Sequence, residues 1–438
     1  MNKDMAKKNI YDYDRLYSIL RPIVDLYTKA SYRAFEIHGI ENVPKEGAVI
    51  ITPNHCNTLM DALVVLATFK DETVFGARAD MFNKPAIAKI MFFLRILPMV
   101  RQRDGLRNVL KNNETNRIVV DTLKHGVRFC MYAEGRHRPA RSIMPLGKGV
   151  FRAALSAVDE LGESKNVYIV PAGLEYEDYF RFRSTVLLSF GEPINVTEFV
   201  RKNPVENEVQ LIEPLRKELY SRMSEQITYL PDDENLASSW TLLKMIAAKE
   251  CRCGSLHDKM MRNRTIAQKI ADMKAADPEG FKALLEKVSA FDNARRKAGI
   301  SIFSFGKKHP ALSLARRTAA SIALLPWFIF CAVVASPMWL TFNLLKGKIK
   351  DKAFRNTAGF GVGLAMSILL YIIYGILSFC LLPWYWAGLL MFAFIPSYYS
   401  FHDCLEYYRR TISDFRFIGK KNLKKMFSEI ITTVNYID

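Results

Sequence analysis

The chain has 438 residues, half of them hydrophobic, and its 62 Lys and Arg against 44 Asp and Glu leave a net charge of +18. That length can bury a sizeable core and favours two or three structural units. The positive excess calls for anionic partners; with charge-free apolar tracts in the same chain a lipid surface fits better than nucleic acid, since no nucleic-acid reader fold or aromatic–basic interleaving is present.

The opening residues Met-Asn-Lys-Asp-Met-Ala-Lys-Lys lack the apolar core of a signal peptide, so cleaved export is not expected. Residues 14–33 read as an amphipathic helix with Leu16, Leu20, Ile23, Val24 and Tyr27 on one side. Arg15, Arg21, Lys29 and Arg33 exclude a spanning helix, leaving a membrane-surface helix or one packed on the next domain, the commoner fate of such a stripe. Strands are then expected at 35–40, 48–52, 73–77, 97–100, 127–133, 167–173 and 186–190. Helices are expected at 60–70, 85–94, 108–124 and 148–161. The alternation predicts one α/β domain over residues 35–200 after an N-terminal helix in 1–34, a mixed sheet flanked by helices. Functional residues in such sheets gather in loops leaving strand C-termini, and His55, Arg101 and Glu134 each follow an apolar strand.

Residues 201–315 lose strand character and read as a basic helical region. Within it, 244–269 carries seven Lys or Arg against two acids. A solvated face is the plain explanation; a surface for anionic headgroups or for an acidic acyl carrier is the sharper one. Residues 318–345 and 356–402 contain no Lys, Arg, Asp or Glu. With about 20 residues per span, the second tract fits two helices turning near Pro383-Trp384, and the first is long for one helix. Basic residues flank both tracts (Lys307, Lys308, Arg316 and Arg317; Lys346 to Arg355; Arg409 to Lys425), and basic flanks prefer the cytoplasm. These rules predict two hairpins within 316–402, the first breaking near Ser336-Pro337. They give an even number of crossings, a cytoplasm-facing catalytic domain and a basic cytoplasmic tail over 403–438.

For chemistry, the chain has no Walker-type phosphate loop, no G-x-S-x-G elbow and no H-E-x-x-H pair. The seven cysteines, at 56, 130, 251, 253, 331, 380 and 404, show no paired metal spacing; reduced thiols are the default, and neither a metal nor a cofactor is expected. His55 is the side chain suited to take a proton near neutral pH and Asp61 the one to orient it. Six positions along a regular helix turn through about 600°, so His55 must sit in the loop before the helix and fold back on Asp61.

Four stretches occur in order: Asn54-His55 with Asp61, Ile96-Leu-Pro-Met-Val-Arg101, Tyr132-Ala-Glu-Gly-Arg136, and Val170-Pro-Ala-Gly173. Together, over about residues 35–200, they resemble the glycerolipid acyltransferase family, typified by 1-acylglycerol-3-phosphate acyltransferase. The five residues between His55 and Asp61 are one more than the usual block, a spacing similar to that of some glycerol-3-phosphate and dihydroxyacetone-phosphate acyltransferases. The Glu-Gly block departs too, with Tyr132-Ala133 for Phe-Pro and His137 at the family's Arg position. The resemblance implies His55 and Asp61 as the catalytic pair, with Arg101, Glu134, Gly135, Arg136 and Arg138 on the substrate. Arg101, Arg136 and Arg138 would hold the acceptor phosphate, with Arg103 in reserve, and Glu134 would orient an acceptor hydroxyl or one of the arginines. It also implies an acyl thioester donor, as acyl-CoA or acyl carrier protein, a glycerol-phosphate-type acceptor, and the bilayer as partner. Acylation of another lysophospholipid and a non-catalytic membrane tether are the alternatives.

Overall fold

β2 (Ala48–Pro53), buried along its whole length, lies inside a mixed eight-stranded sheet. The other strands are β1 (Tyr32–His38), β3 (Thr73–Arg78), β4 (Ile96–Met99), β5 (Arg128–Met131), β6 (Val167–Tyr176), β7 (Ser184–Phe190) and β8 (Ile194–Asn195). The computed structural model describes residues 9–99, 109–205, 207, 209–249 and 254–435. Their order across the sheet is β1-β7-β6-β2-β5-β3-β4, with β8 on β6. β6, β2, β5, β3 and β4 run parallel, while β7 returns antiparallel to β6. Val49, Ile50 and Ile51 make the unbroken apolar run that a strand covered on both faces requires. Because β2 and β5 are parallel neighbours, the loops that leave them emerge side by side.

The helices of this part are α1 (Arg15–Ala30), α2 (Leu59–Thr68), α3 (Pro85–Phe93), α4 (Val109–Lys124), α5 (Gly149–Leu161), α6 (Val196–Lys202) and α7 (Val209–Ser224). The first compact unit runs through them to Ile227; the second holds Arg181–Arg183 and everything from Thr228. The α/β unit thus extends past the expected boundary at 200, because α7 buries Leu211, Ile212, Leu215, Leu219 and Met223. In α1 the expected apolar stripe is mostly turned out, and Tyr27 is its one buried member. Tyr17, Arg21, Tyr27 and Thr28 are buried, whereas Leu16, Leu20 and Ile23 of the apolar stripe are exposed. The reason is Arg21, whose guanidinium donates to the carbonyls of Leu66 and Phe69 at 2.7 Å each, at the C-terminal end of α2.

The second unit is helical: α8 (Leu236–Lys249), α9 (Leu256–Ala276), α10 (Pro278–Lys297), α11 (Ile302–Phe305), α12 (Pro310–Lys346), α13 (Lys352–Leu381), α14 (Trp384–Ile418) and α15 (Lys421–Asn435). Residues 403–438, expected as a tail, are mostly helix. Leu423, Phe427, Ile430, Ile431 and Val434 of α15 join Leu242, Leu285, Val288 and Phe291 in one core. Their spacing is a helical stripe that the neighbouring lysines obscure in the sequence.

α12 and α13 are long and apolar enough to cross a membrane, and their apolar windows are only 17% and 11% buried. The turn expected near Pro383 is present, between α13 and α14. The break expected at Ser336-Pro337 is not: α12 runs unbroken through Pro326 and Pro337. Pro337 cannot donate to the Val333 carbonyl, but the Ser336 hydroxyl does, at 2.8 Å, which is how helices in apolar surroundings keep a proline without breaking. Two of the expected flanking charges, Lys307 and Arg317, also pair with the buried Asp414 within this unit.

Gly173, in the Val-Pro-Ala-Gly stretch of β6, marks a close approach: an added Cβ would lie 2.2 Å from the Gln226 carbonyl oxygen. Gly173→Ala should cost about 1–3 kcal/mol, the usual penalty for overpacking a core. A thermal melt in detergent that is unchanged from wild type would contradict this.

Candidate active site

The loop between β2 and α2 is built around one carboxylate. Asp61, completely buried in the first turn of α2, accepts four hydrogen bonds. Its Oδ2 takes the Cys56 and Asn57 amides at 2.8 and 2.7 Å and faces His55 Nδ1 at 2.8 Å. Its Oδ1 takes the Tyr176 hydroxyl, 2.7 Å away at the end of β6. The chain reaches this arrangement by turning sharply at Thr58, whose φ of 45° is rare for a β-branched residue. His55 therefore lies in the loop and folds back on the helix, as the six-residue spacing requires. Burial, and next the Asp61 carboxylate, push the Tyr176 phenol up, which keeps it a proton donor.

Neighbouring segments fix the His55 loop from outside. Asn54 bridges to β6, its side-chain amide donating to the Leu174 carbonyl and its carbonyl oxygen accepting the Leu174 amide at 2.6 Å. The Asn57 side chain donates to the Tyr179 carbonyl. The His55 ring stacks on Tyr132 (centroids 4.1 Å apart) and meets His137 edge-on at 5.9 Å. His55 remains half-buried.

Glu134 is engaged with the backbone of two loops. Its two oxygens accept the backbone amides of His55 at 2.8 Å and Met144 at 2.9 Å, tying the loop after β5 to the loop after β2. It is a positioning residue. Gly135 follows in the left-handed region (φ 65°), where the turn after β5 needs it. The Arg138 amide donates to the His55 carbonyl at 2.9 Å, and its guanidinium donates to Ser142 Oγ at 2.7 Å. Arg136 is exposed on the same loop. The structure thus brings His55, Asp61, Glu134, Gly135, Arg136 and Arg138 together around two adjacent loops. Arg101 and the reserve Arg103 lie outside the described residues. Among the described residues no group of three or more His, Cys, Asp or Glu is placed to hold a metal.

Sequence reasoning missed Tyr176, Tyr132 and Arg141. Arg141 is buried, pairs with Glu175 at 3.0 Å and donates to the Tyr176 carbonyl. The missed signal is strand length: β6 continues beyond Gly173 through Leu174-Glu175-Tyr176, whose alternation brings Tyr176 back inside.

The Acyltransferase protein-family model matches residues 34–175, a span that contains His55, Asp61, Tyr132, Glu134, Arg138 and Arg141 and ends one residue before Tyr176. Residues 34–175 are an acyltransferase domain. Two relatives from Saccharomyces cerevisiae are similar to part of the chain. Glycerol-3-phosphate O-acyltransferase 2 is 32% identical over 116 residues, 26% of this chain and 16% of the yeast protein. Glycerol-3-phosphate O-acyltransferase 1 is 33% identical over 109 residues, 24% of this chain and 14% of that protein. The chain therefore matches about one-sixth of each relative's length. Among solved structures, the 1-acyl-sn-glycerophosphate (LPA) acyltransferase PlsC from Thermotoga maritima is similar with a TM-score of 0.34 and 19% identity, over 49% of this chain and 83% of that one.

Within the acyltransferase domain, burial pushes the Glu134 carboxyl up from its ordinary 4.5 to about 7, against the two backbone amides that favour its ionised form. Between those values the folded chain holds a proton that the unfolded chain has released. Its stabilising contribution is therefore complete below pH 4.5 and is lost as pH rises through about 7. The unfolding midpoint of wild type minus that of Glu134→Gln should fall across this window and level off above it. A difference that does not vary with pH would contradict the assignment.

Proposed function

We propose that the chain is a membrane-bound O-acyltransferase that moves a fatty acyl group from a thioester donor to a hydroxyl of glycerol-3-phosphate or 1-acylglycerol-3-phosphate. The observation that supports it best is the His55–Asp61 contact at 2.8 Å, held by a carboxylate with no remaining freedom. With Nδ1 facing Asp61, Nε2 is the nitrogen left to act as base. The acceptor hydroxyl attacks the thioester carbonyl carbon while Nε2 removes its proton. Asp61 steadies the imidazolium, the logic of a Ser-His-Asp triad with the substrate hydroxyl in place of serine. Collapse of the tetrahedral intermediate breaks the C–S bond, and the departing thiolate takes the proton from Nε2. The scheme forms no acyl-enzyme and draws on no cofactor. Arg136 and Arg138, on the loop beside His55, are suited to the acceptor phosphate through charge-assisted hydrogen bonds. The donor is acyl-CoA or acyl carrier protein. The matches to glycerol-3-phosphate O-acyltransferases favour glycerol-3-phosphate as first acceptor.

His55→Ala should abolish transfer while the protein still folds, and Asp61→Asn should lower turnover by about 10²–10⁴-fold. Normal turnover in His55→Ala would refute the mechanism. Purified membranes given one labelled acyl-CoA with glycerol-3-phosphate, dihydroxyacetone phosphate, lysophosphatidate or another lysophospholipid will rank the acceptors. No transfer to any of them would favour a tether.

α12 and α13 are proposed to anchor the chain, with the catalytic unit on the cytoplasmic side. Because α12 is continuous, it should cross, which replaces the expected first hairpin. Gly347, in the link between α12 and α13, has open space around an added Cβ. A cysteine there should react with an impermeant reagent from the outside, and protection of it would show that α12 stays within one leaflet.

A further inference from the structure

We propose that Tyr176 is a positioning residue that sets how strongly His55 holds its proton, acting through Asp61, with Tyr32 as a second link behind it. This rests on the proposed function, because it concerns the base of that reaction. His55 Nδ1 faces Asp61 Oδ2 at 2.8 Å, and the Tyr176 hydroxyl donates to Oδ1 of the same carboxylate at 2.7 Å. Asp61 and Tyr176 are both completely buried, so solvent does not screen the contact. Tyr32, the first residue of β1, is also buried and shares a hydrogen bond with Tyr176, the two ring centroids lying 6.0 Å apart. The single hydroxyl proton of Tyr176 is committed to Asp61, which leaves Tyr32 as the donor in that pair.

A donor on Oδ1 draws negative charge away from Oδ2 and weakens its pull on an imidazolium. Donation from Tyr32 polarises the Tyr176 O–H and strengthens that effect. With both phenols in place, His55 releases its proton at lower pH and is free to act as a base. Without the Tyr176 donor, Asp61 turns more of its charge on His55, which then keeps a proton to higher pH.

The groups around the pair leave room for that control. Tyr132 stacks on the His55 ring, Cys56 follows it in the loop, and the Tyr179 ring lies 5.9 Å from that of Tyr176. Burial pushes the Tyr32, Tyr132 and Tyr179 phenols and the Cys56 and Cys130 thiols up, so all five stay neutral while a histidine titrates. Arg141, on the Tyr176 carbonyl, is already paired with Glu175. Glu134, on the His55 amide, titrates at about 7 and must be controlled for, as must His137, edge-on to the ring.

The test follows the full chain in phospholipid vesicles with two readouts against pH. One is turnover with labelled acyl-CoA and glycerol-3-phosphate. The other is carbethoxylation of His55 by diethyl pyrocarbonate, which attacks neutral imidazole, quantified on the His55 peptide by mass spectrometry. Tyr176→Phe keeps the ring and removes the donor, whereas 3,5-difluorotyrosine in place of Tyr176 keeps the ring and makes the donor stronger. The carbethoxylation midpoint and the acidic limb of turnover should rise by about 0.5 pH unit in Tyr176→Phe and fall with difluorotyrosine. Tyr32→Phe should give a smaller rise. The same order should hold in Glu134→Gln and His137→Gln backgrounds. Midpoints that do not move in any of the three replacements would overturn the proposal, even where turnover falls, and would leave Tyr176 as packing alone. Should Tyr176→Phe fail to fold, the difluorotyrosine and Tyr32→Phe chains decide. A wild type that transfers nothing, with midpoints that move as stated, would overturn the proposed reaction while the Tyr176 linkage stands. Normal transfer with unmoved midpoints would overturn the linkage alone.

Discussion

The active site depends on a buried negative charge that is fully hydrogen-bonded. A carboxylate with no solvent contact costs several kcal/mol unless its lone pairs are met. Asp61 meets that demand with two amides, a phenol and the His55 ring. Each donor fixes a different segment. The Cys56 and Asn57 amides set the path of the loop, Tyr176 ties the carboxylate to the end of β6, and His55 is left in one orientation. The unusual backbone at Thr58 is explained by the same demand, because only a chain turning there presents both amides to one oxygen.

Glu134 repeats the device at lower cost. One carboxyl spans two backbone amides and so fixes the spacing between the loops after β2 and β5. The parallel pairing of those strands makes this possible, since it sets their C-terminal ends side by side. Through this carboxyl the loop that carries Arg136 and Arg138 is tied to the loop that carries His55. His55 and the arginines of the second loop thus stand on neighbouring loops of one sheet.

Two principles divide the rest of the chain. In the α/β unit and the helical core of the second unit, apolar stripes turn inward, except on α3 and on α1, where Arg21 holds the stripe out. In α12 and α13 most large side chains, among them Val333, Leu344, Ile376 and Leu381, are exposed, and Met338, Phe360 and Leu370 are the large ones buried. Both helices are long and apolar enough to cross a membrane, and little of their apolar length is buried. Where water is absent the backbone must satisfy itself, and the Ser336 hydroxyl on the Val333 carbonyl shows how a proline is accommodated.

The sequence by itself determined the alternation of strands and helices, the partnership of His55 with Asp61 and the apolar tracts. Each is written in local periodicity or in spacing along one segment. Only the tertiary structure decided what depends on contacts between distant segments. Tyr176 reaches Asp61 across 115 positions, Glu134 reaches the His55 amide across 79, and Arg21 turns α1 over by finding carbonyls 45 and 48 residues away. The continuity of α12 belongs with these, although its cause is local. A proline announces the loss of a hydrogen bond in any sequence, and whether the helix breaks depends on whether a neighbouring hydroxyl is placed to replace the lost donor.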